Sequence, residues 1–406
     1  MRKIAIIGGG ASGMMAGISA SKENNIVDIY EANEKLGKKI YITGKGRCNL
    51  TNNCDRNDFL KNVVNNSKFL YSAISEVSNE FVINFFEKNG LRLKIERGNR
   101  VFPESDKSSD VIKTLEKVLI KSGVNIKYNS RVNDLLVVDN TIKGIVVNGE
   151  TLFYDSVIIC TGGISYPTTG STGDGYVFAK KYAHKIIKPV AGLSAINLQG
   201  NDFAELQGLS LKNVAISCYE NNKKIYSDFG EMLFTHFGVS GPIILSLSSF
   251  INRKDFNALS LSIDLKPALD NEILNNRLIR EFSVNNSKFI SSVMRNLVPS
   301  SLISLILKRA EINANVKCSE VTKKQRVKLI NILKNLTFKI KNLFNIEQAI
   351  ITSGGVSVKE INPKTMESKL IKGLFFAGEV LDIDGLTGGF NLQIAFSTGY
   401  VAGKYA

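Results

Sequence analysis

The sequence is poor in the residues that build disulfide frameworks and metal centres. Its five cysteines are odd in number and scattered, which argues against the disulfide framework of a secreted protein. It has two histidines and no Cys/His cluster, so we expect no metal site. No stretch combines the length and apolarity of a membrane span. We therefore expect a folded cytoplasmic protein with reduced thiols and no membrane partner.

The amino-terminal segment resembles a secretory signal, because Met1, Arg2 and Lys3 precede an uncharged run. Three consecutive glycines, Gly8 to Gly10, interrupt that run where a signal peptide needs a helix-forming centre. A buried strand that leads into a glycine turn explains the segment better.

Acidic residues are fewer than basic ones. The chain has 37 Asp and Glu residues and 52 Lys and Arg residues, which gives a net charge of +15. Such a surplus suits a nucleic-acid partner. The densest basic stretch, residues 323–341, also carries apolar residues at helical spacing, which an amphipathic helix with a lysine-covered outer face explains. We favour that solvated face and do not expect a nucleic-acid partner, although an RNA role stays open.

The pattern of apolar residues changes along the chain. The first 30 residues predict a βαβ unit with strands at Lys3–Ile7 and Ile26–Tyr30. Strand-like runs dominate from about residue 191 to 265, with one helix-like segment at Pro242–Ile251, and residues 267–335 are helical in pattern. The chain ends in an apolar helix at Asn391–Tyr405. This order predicts an α/β fold, with a nucleotide-binding domain built from both chain ends and interrupted by an insertion.

A dinucleotide fingerprint lies between the first strand and the first helix. Gly8, Gly10 and Gly13 have the G-x-G-x-x-G spacing, and Glu31 ends the second strand 18 residues after Gly13. The glycines permit a tight turn, close approach of backbone to a pyrophosphate, and close packing of helix on strand. Glu31 would accept hydrogen bonds from a ribose diol.

The carboxyl-terminal part of the chain favours FAD over NAD. The apolar run Leu374–Phe376 leads to Gly378 and Glu379, and Gly388 and Gly389 precede the last helix. A carboxylate at a late strand end suits the ribityl hydroxyls of a flavin. A glycine-led helix start can stabilise negative charge on a reduced flavin ring.

Several strings resemble one bacterial flavoprotein family. They are Gly37-Lys38-Lys39 with Thr43-Gly44-Lys45-Gly46-Arg47-Cys48-Asn49-Leu50-Thr51-Asn52, Cys160-Thr161-Gly162-Gly163, Phe234 to Pro242, and Ala377-Gly378-Glu379 through Gln393. The chain is similar nearly end to end to the BaiN/YhiN-like group of FAD-binding, NAD(P)/FAD-dependent oxidoreductases, which includes aminoacetone oxidases. The resemblance implies a Rossmann-like FAD domain interrupted by a β-barrel-like domain that carries a helical insertion. The implied segments are 1–189 and 353–406 for the FAD domain, 190–266 and 336–352 for the β-rich domain, and 267–335 for the helical domain.

The resemblance also implies a set of cofactor-binding residues. In chain order these are Gly8, Gly10, Ala11, Ser12, Gly13, Glu31, Ala32, Gly44, Arg47, Cys48, Asn49, Thr51, Val132, Thr161, Gly162, Gly378, Glu379, Asp384, Gly389, Asn391, Leu392, Gln393 and Ile394. Arg47 among glycines is expected beside the flavin or a substrate carboxylate, and a surface arginine that caps a loop is the alternative. Val132 is expected to meet the adenine through its backbone.

Two features limit the redox chemistry. Cys48 and Cys54 are separated by five polar or non-helical residues, which argues against a redox disulfide of the flavin reductase type. A second G-x-G-x-x-G string is absent. NADH or NADPH remains a candidate transient donor, but it would have to bind without a Rossmann domain of its own.

His236 is the candidate catalytic residue, as a proton donor near the flavin. The alternative is a buried, hydrogen-bonded histidine. The turn after it suits a helix start at Pro242 with Ser240 as the cap. His184 follows a helix-like segment, where a cationic side chain is unremarkable.

The sequence thus predicts an FAD-dependent oxidoreductase that transfers hydride between flavin N5 and a small organic substrate. Two alternatives remain open, which are a flavin-dependent RNA-modifying enzyme and a non-enzymatic flavin-binding protein. Neither the substrate, the electron acceptor nor the oligomeric state follows from the sequence.

Overall fold

The computed structural model describes the backbone of residues 1–406 and every side chain except that of Glu23. The chain divides into two compact units, of which the first comprises Met1–Gly192 and Ile346–Ala406 and the second Leu193–Asn345. The first unit therefore contains both ends of the chain. The finer division into five segments remains a prediction.

The first 192 residues contain most of the first unit. Its strands and helices are β1 Lys3–Ile7, α1 Ala11–Ala20, β2 Ile26–Tyr30, α2 Lys38–Ile42, β3 Thr51–Asn52, α3 Arg56–Lys61, β4 Val63–Asn65, α4 Tyr71–Glu76, α5 Asn79–Lys88, β5 Leu93–Glu96, β6 Arg100–Pro103, α6 Ser108–Lys121, β7 Asn125–Lys127, β8 Val132–Val138, β9 Thr141–Val147, β10 Glu150–Phe153, β11 Ser156–Ile159, α7 Asp174–Lys181 and β12 Ile186–Gly192.

The second unit follows, and the chain then returns to the first. The remaining elements are β13 Ile196–Leu198, β14 Ser210–Glu220, β15 Lys223–Thr235, β16 Gly238–Ser240, α8 Pro242–Ile251, β17 Leu259–Asp264, α9 Asn271–Val284, α10 Ile290–Val293, α11 Ser300–Ala310, α12 Lys323–Lys334, β18 Leu336–Leu343, β19 Ile351–Val356, β20 Leu374–Phe376, β21 Asp384–Gly385 and α13 Phe390–Tyr405.

A parallel five-stranded sheet in the order β20-β11-β1-β2-β7 forms the centre of the first unit. Its central strands are apolar runs with buried side chains, as expected for strands covered on both faces. The predicted strands Lys3–Ile7 and Ile26–Tyr30 are confirmed, and the α/β class with them. The carboxyl ends of parallel strands meet at one edge, where ligands bind in such sheets.

The last helix packs closely on the first, which joins the two ends of the chain. A Cβ on Gly399 would lie 2.2 Å from the carbonyl oxygen of Ser12, and one on Gly403 would lie 2.1 Å from that of Ala16. The two glycines are four residues apart on α13 and so face the same side of the helix. Only glycine at these positions lets the backbones approach so far.

The second unit contains a closed barrel with the strand order β13-β16-β15-β14-β17-β18. Between β17 and β18 the chain forms α9 to α12. The predicted helix Pro242–Ile251 is confirmed, but Ser240 does not cap it. Ser240 ends β16, and Gly241 is the N-cap at a φ of 101°. The N-cap position requires a positive φ, which glycine adopts easily and serine adopts poorly.

None of the helices in the described part of the chain is long and apolar enough to cross a membrane.

Candidate cofactor-binding site

The turn between β1 and α1 leaves space above one glycine and none above the other two. A Cβ on Gly13 would lie 1.9 Å from the carbonyl oxygen of Gly8, and a Cβ on Gly8 would lie 2.6 Å from that of Cys160. A Cβ on Gly10 would meet no heavy atom within 4 Å. Gly8 and Gly13 therefore serve close packing, whereas the open side of Gly10 can face a ligand.

The amino terminus of α1 has no side-chain cap. Gly10 is the N-cap, and the first turn contains no acidic residue. The first intrahelical bond runs from the N–H of Met14 to the carbonyl oxygen of Gly10. The N–H groups of Ala11, Ser12 and Gly13 thus point out of the helix end, where an anion can accept them.

Glu31 lies beside this turn with its carboxylate held by hydrogen bonds. Its Oε2 accepts from the N–H of Gly9 at 2.8 Å. Its Oε1 accepts from the N–H and the side-chain amide of Asn33 at 2.8 and 2.6 Å. The side chain is buried, so its direction is well determined by these partners.

Two buried oxygen atoms in loops of the first unit have no hydrogen-bond partner among the side chains and backbone that the structure describes. They are Oγ1 of Thr161, in the loop after β11, and Oδ1 of Asn49, in the loop before β3. Buried polar atoms are nearly always hydrogen-bonded, so such orphans indicate a missing partner. Both residues belong to the set that the sequence predicts around FAD, and the protein therefore fits that cofactor here.

Glu379 lies at the end of β20 in a cluster that draws on four separate chain segments. Its Oε1 accepts from the Thr352 N–H at 2.8 Å and from the Ser165 hydroxyl at 3.2 Å. The ammonium group of Lys39 lies 2.7 Å from Oε2 and 2.9 Å from Oε1. The string Gly37-Lys38-Lys39 belongs to the resemblance, but sequence reasoning gave Lys39 no role in the site, because nothing local signals a partner 340 residues away.

A comparison with protein families matches nearly the whole chain to one family model. The model for the HI0933-like protein Rossmann domain matches residues 2–405. The chain belongs to the HI0933-like family. It is a family of FAD-dependent oxidoreductases, which confirms the resemblance drawn from the sequence.

Curated relatives of this HI0933-like chain match nearly end to end. A 3-dehydro-bile acid delta(4,6)-reductase of Clostridium scindens is 31% identical and covers 100% of this chain and 99% of its own length. A ribosomal RNA dihydrouridine synthase of Haemophilus influenzae is 28% identical over 97% of this chain and 96% of its own length. The ribosomal RNA dihydrouridine synthase of Escherichia coli is 27% identical, with 98% and 96% coverage.

Solved structures support the fold of the HI0933-like chain. A 3-ketosteroid delta1-dehydrogenase from Sterolibacterium denitrificans has a TM-score of 0.54 at 13% identity and covers 99% of each chain. A 3-ketosteroid-delta4-(5alpha)-dehydrogenase from Rhodococcus jostii has a TM-score of 0.53 at 14% identity, with 100% of this chain and 96% of that chain covered. At such identities the likeness concerns the fold alone.

The carboxyl-terminal residues of the predicted site are engaged within the protein. Gln393 is fully buried, accepts from the Thr51 hydroxyl at 2.6 Å and donates to the Val77 carbonyl oxygen at 3.0 Å. Asn391 bonds the backbone of Gly385 through both ends of its amide. These bonds tie the start of α13 to β3 and β21. Ile394 is buried, whereas Leu392 is half-buried.

The start of α13 itself lies against β3. Gly389 is its N-cap at a φ of 99°, and a Cβ there would lie 2.4 Å from the carbonyl oxygen of Thr51. Asp384 is buried in β21 and accepts from the Asn65 amide at 2.7 Å and from the Ser353 hydroxyl at 3.1 Å. A Cβ on Gly378 would lie 2.6 Å from Oγ of Ser12, which brings the β20 loop next to α1.

Arg47 lies in an ion-pair cluster. Its guanidinium group pairs with Glu96 and with Asp106, the latter at 2.6 Å, and stacks on the Phe102 ring at 4.3 Å. The hydrogen bonds with Glu96 and Asp106 raise the pKa of Arg47, and the bond from Arg47 lowers the pKa of Glu96. The pKa of Asp106 is lowered first by a hydrogen bond from Lys94 and then by the one from Arg47. The side chain is 36% exposed, which matches the alternative of a surface arginine that holds its loop. A role beside the flavin stays a prediction.

The surroundings of Glu31 include residues that sequence reasoning missed. Asn33 reaches from Glu31 to the Thr169 carbonyl oxygen at 3.3 Å, and a Cβ on Gly170 would lie 2.6 Å from its amide nitrogen. Ser130 donates its N–H to the carbonyl oxygen of Glu31, and Val132 begins β8 shortly after it. The Val132 and Ala32 backbones therefore lie close to Glu31. Gly162 is left-handed at a φ of 71°, like Gly44 at 57°.

All five cysteines are free thiols. Cys48 is completely buried, and burial raises its pKa to about 12. Burial also raises the pKa of Cys54. The raised pKa of each thiol disfavours the reactive thiolate form.

The two histidines have environments that the sequence did not indicate. His236 lies in the second unit, at the turn between β15 and β16, and it is exposed rather than buried. His184 is buried in the first unit and its Nε2 lies 2.8 Å from the Ser368 hydroxyl. Burial lowers the pKa of His184, so the expectation of a cationic residue at a helix end is wrong.

Proposed function

We propose that this chain is an FAD-dependent reductase that adds hydrogen across a carbon–carbon double bond conjugated to a carbonyl group. The observation that carries this proposal is the near full-length similarity to relatives named for that change on different substrates. One is a delta(4,6)-reductase of a 3-dehydro bile acid, and two are dihydrouridine synthases of ribosomal RNA. A shared FAD-binding unit that acts on different substrates explains why one relative is named a bile acid reductase and two are named dihydrouridine synthases.

The first unit has the groups that FAD requires. The N–H groups at the start of α1 suit the diphosphate, and the Glu31 carboxylate suits a ribose diol. The unpartnered oxygen atoms of Asn49 and Thr161 are placed for further polar contacts. When bound, FAD supplies two-electron transfer as hydride at its flavin ring.

We propose NADH or NADPH as the transient electron donor. The sequence has a single G-x-G-x-x-G fingerprint, so a nicotinamide would bind without a Rossmann domain of its own. The second hydrogen of the addition arrives as a proton. His236 remains our candidate for its source, because its imidazole is exposed and carries a transferable proton donor.

The first candidate substrate is a small enone, as in a 3-keto steroid with further ring double bonds. A relative that is 31% identical over the whole chain is named for such a substrate. This candidate requires no nucleic-acid contact.

Ribosomal RNA is the second candidate, and the charge of the chain favours it. The net charge is +15, and two near full-length relatives are named ribosomal RNA dihydrouridine synthases. In the second unit Lys323, Lys324, Lys339 and Lys341 are exposed. By contrast, Lys328 and Lys334 are engaged with Glu311 and Asp264, each at 2.6 Å.

The first experiment is an anaerobic spectral titration of the purified protein with NADH and then with NADPH. We expect a yellow protein that is bleached by one of them. The reduced protein is then mixed with a 4,6-dien-3-one steroid or with ribosomal RNA that lacks dihydrouridine. Reoxidation by the steroid alone supports the first candidate, and dihydrouridine formation with salt-sensitive RNA binding supports the second. A protein that cannot be reconstituted with FAD would overturn the proposal.

A further inference from the structure

We infer that Lys39 is a positioning residue that holds Glu379 in the orientation needed to bind the cofactor. This inference rests on the proposed FAD site. It assigns a function to a lysine that lies outside the dinucleotide fingerprint. Lys39 belongs to α2, which begins at Lys38 after the left-handed Gly37, and it reaches Glu379 from the opposite end of the sequence.

The geometry makes Lys39 the central donor of the cluster. Its ammonium group donates to both carboxylate oxygens of Glu379 and to the Ser165 hydroxyl, the last at 2.7 Å. The Ser165 hydroxyl in turn donates to Oε1 of Glu379. Lys39 therefore supports the carboxylate directly and through a relay.

The backbone around the cluster leaves Glu379 little freedom. Thr352, fully buried in the return strand β19, donates its N–H to Oε1 and accepts the N–H groups of Ile164 and Ser165 at 2.9 and 3.1 Å. A Cβ on Gly163 would lie 2.9 Å from Oε1 of Glu379. Oε1 is thus surrounded by protein donors.

Oε2 is the oxygen that a cofactor hydroxyl can reach. Of the hydrogen bonds described for Glu379, only the one from Lys39 ends on Oε2. The Lys39 and Glu379 side chains are 23% and 22% exposed, so part of the pair is accessible to a ligand. A carboxylate oxygen with one fixed cationic donor retains a lone pair for a ligand hydroxyl.

Loss of the ammonium group would leave a partly buried carboxylate without its counter-charge. Such a carboxylate turns toward water, because an unpaired charge is costly in a partly buried site. It then no longer presents an ordered acceptor to the cofactor. The role of Lys39 is therefore expressed only through Glu379.

The test is a double-mutant cycle on FAD affinity, measured by fluorescence titration of the apoprotein. We expect Lys39→Met to weaken FAD binding about tenfold, the equivalent of one charge-assisted hydrogen bond. Glu379→Gln should weaken it to a similar degree. In the Glu379→Gln background, Lys39→Met should add less than about twofold, because coupled residues are not additive. Lys39→Arg should restore most of the affinity.

Lys404→Met is the matched control. It removes another lysine–glutamate pair of the first unit, Lys404 with Glu76 at 2.5 Å, on α13. We expect FAD affinity to be unchanged in this variant. Unchanged affinity in Lys39→Met, or effects of the two substitutions that multiply fully, would overturn the inference. Failure of the wild-type apoprotein to bind FAD would instead contradict the proposed function.

Discussion

The glycine turn after β1 and the carboxyl-terminal return meet the candidate cofactor with different chemical groups. The turn presents backbone N–H groups at the uncapped start of α1, with open space above Gly10. The return contains Gln393, Asn391 and Glu379, whose side chains are already bonded inside the protein. In the turn, backbone groups act through their position. In the return, side chains act through hydrogen bonds that join distant segments. The two regions should therefore respond differently to substitution.

The largest effect is expected in the glycine turn. Gly13→Ala places a methyl group against the Gly8 carbonyl oxygen, at 1.9 Å in the present backbone. We expect it to lower the free energy of unfolding by about 1–3 kcal/mol and to abolish FAD retention. Gly10→Ala is the control, because its Cβ meets nothing within 4 Å. Apoprotein unfolding should show the control within about 0.5 kcal/mol of wild type. Equal stability of both variants would remove the distinction between packing and ligand glycines.

The next effect concerns the acidic residue of the same region. Glu31→Gln keeps the shape but loses the charge that orders Gly9 and Asn33 and would accept the ribose hydroxyls. We expect FAD affinity to fall about tenfold or more. Fluorescence titration measures it, with Glu34→Gln as the control, because Glu34 is exposed and pairs with Lys38. Full cofactor occupancy in Glu31→Gln would remove Glu31 from the site.

A smaller effect, on stability rather than on the cofactor, is expected in the return. Gln393→Leu leaves the Thr51 hydroxyl and the Val77 carbonyl oxygen without their present partner. We expect a loss of about 1–3 kcal/mol in the free energy of unfolding. Thermal unfolding and the visible flavin spectrum are measured together. A normal melting temperature with an altered flavin spectrum would show instead that this side chain meets the flavin.

The smallest effect is a pH dependence from His184. Burial lowers its pKa from the ordinary value of 6.5, so below about pH 6.5 the unfolded chain binds a proton that the folded chain does not. Stability should therefore fall as the pH is lowered through this range. His184→Gln should flatten the dependence of the melting temperature between pH 7.5 and 5.5. A slope identical to that of wild type would exclude His184 as its source.

The amino-terminal part of the site could be predicted because its signals are local. The strand Lys3–Ile7, the glycine spacing and Glu31 lie within about thirty residues, and each acts through its neighbours. Apolar runs likewise predicted α8 and α13, since periodicity reflects which face of a helix is buried.

The carboxyl-terminal part could be predicted in its residues but not in their partners. Thr51 and Gln393 were both expected around the cofactor, yet they bond each other across 342 positions of sequence. Lys39, Asn33 and Gly170 were not expected in the site, because nothing in the sequence around them indicates their partners. Each of them contacts a predicted site residue only because separate loops meet in the folded chain. The sequence of one segment does not indicate which loops meet.

The sequence by itself determined the α/β class, the fingerprint turn and the acidic residue beside it, because these depend on backbone freedom and on local periodicity. Only the tertiary structure decided which polar groups are occupied. It paired Lys39 with Glu379, left Thr161 without a described partner, and buried His184 while exposing His236. Burial and hydrogen bonding are properties of groups brought together from distant segments, so they follow from the folded chain alone.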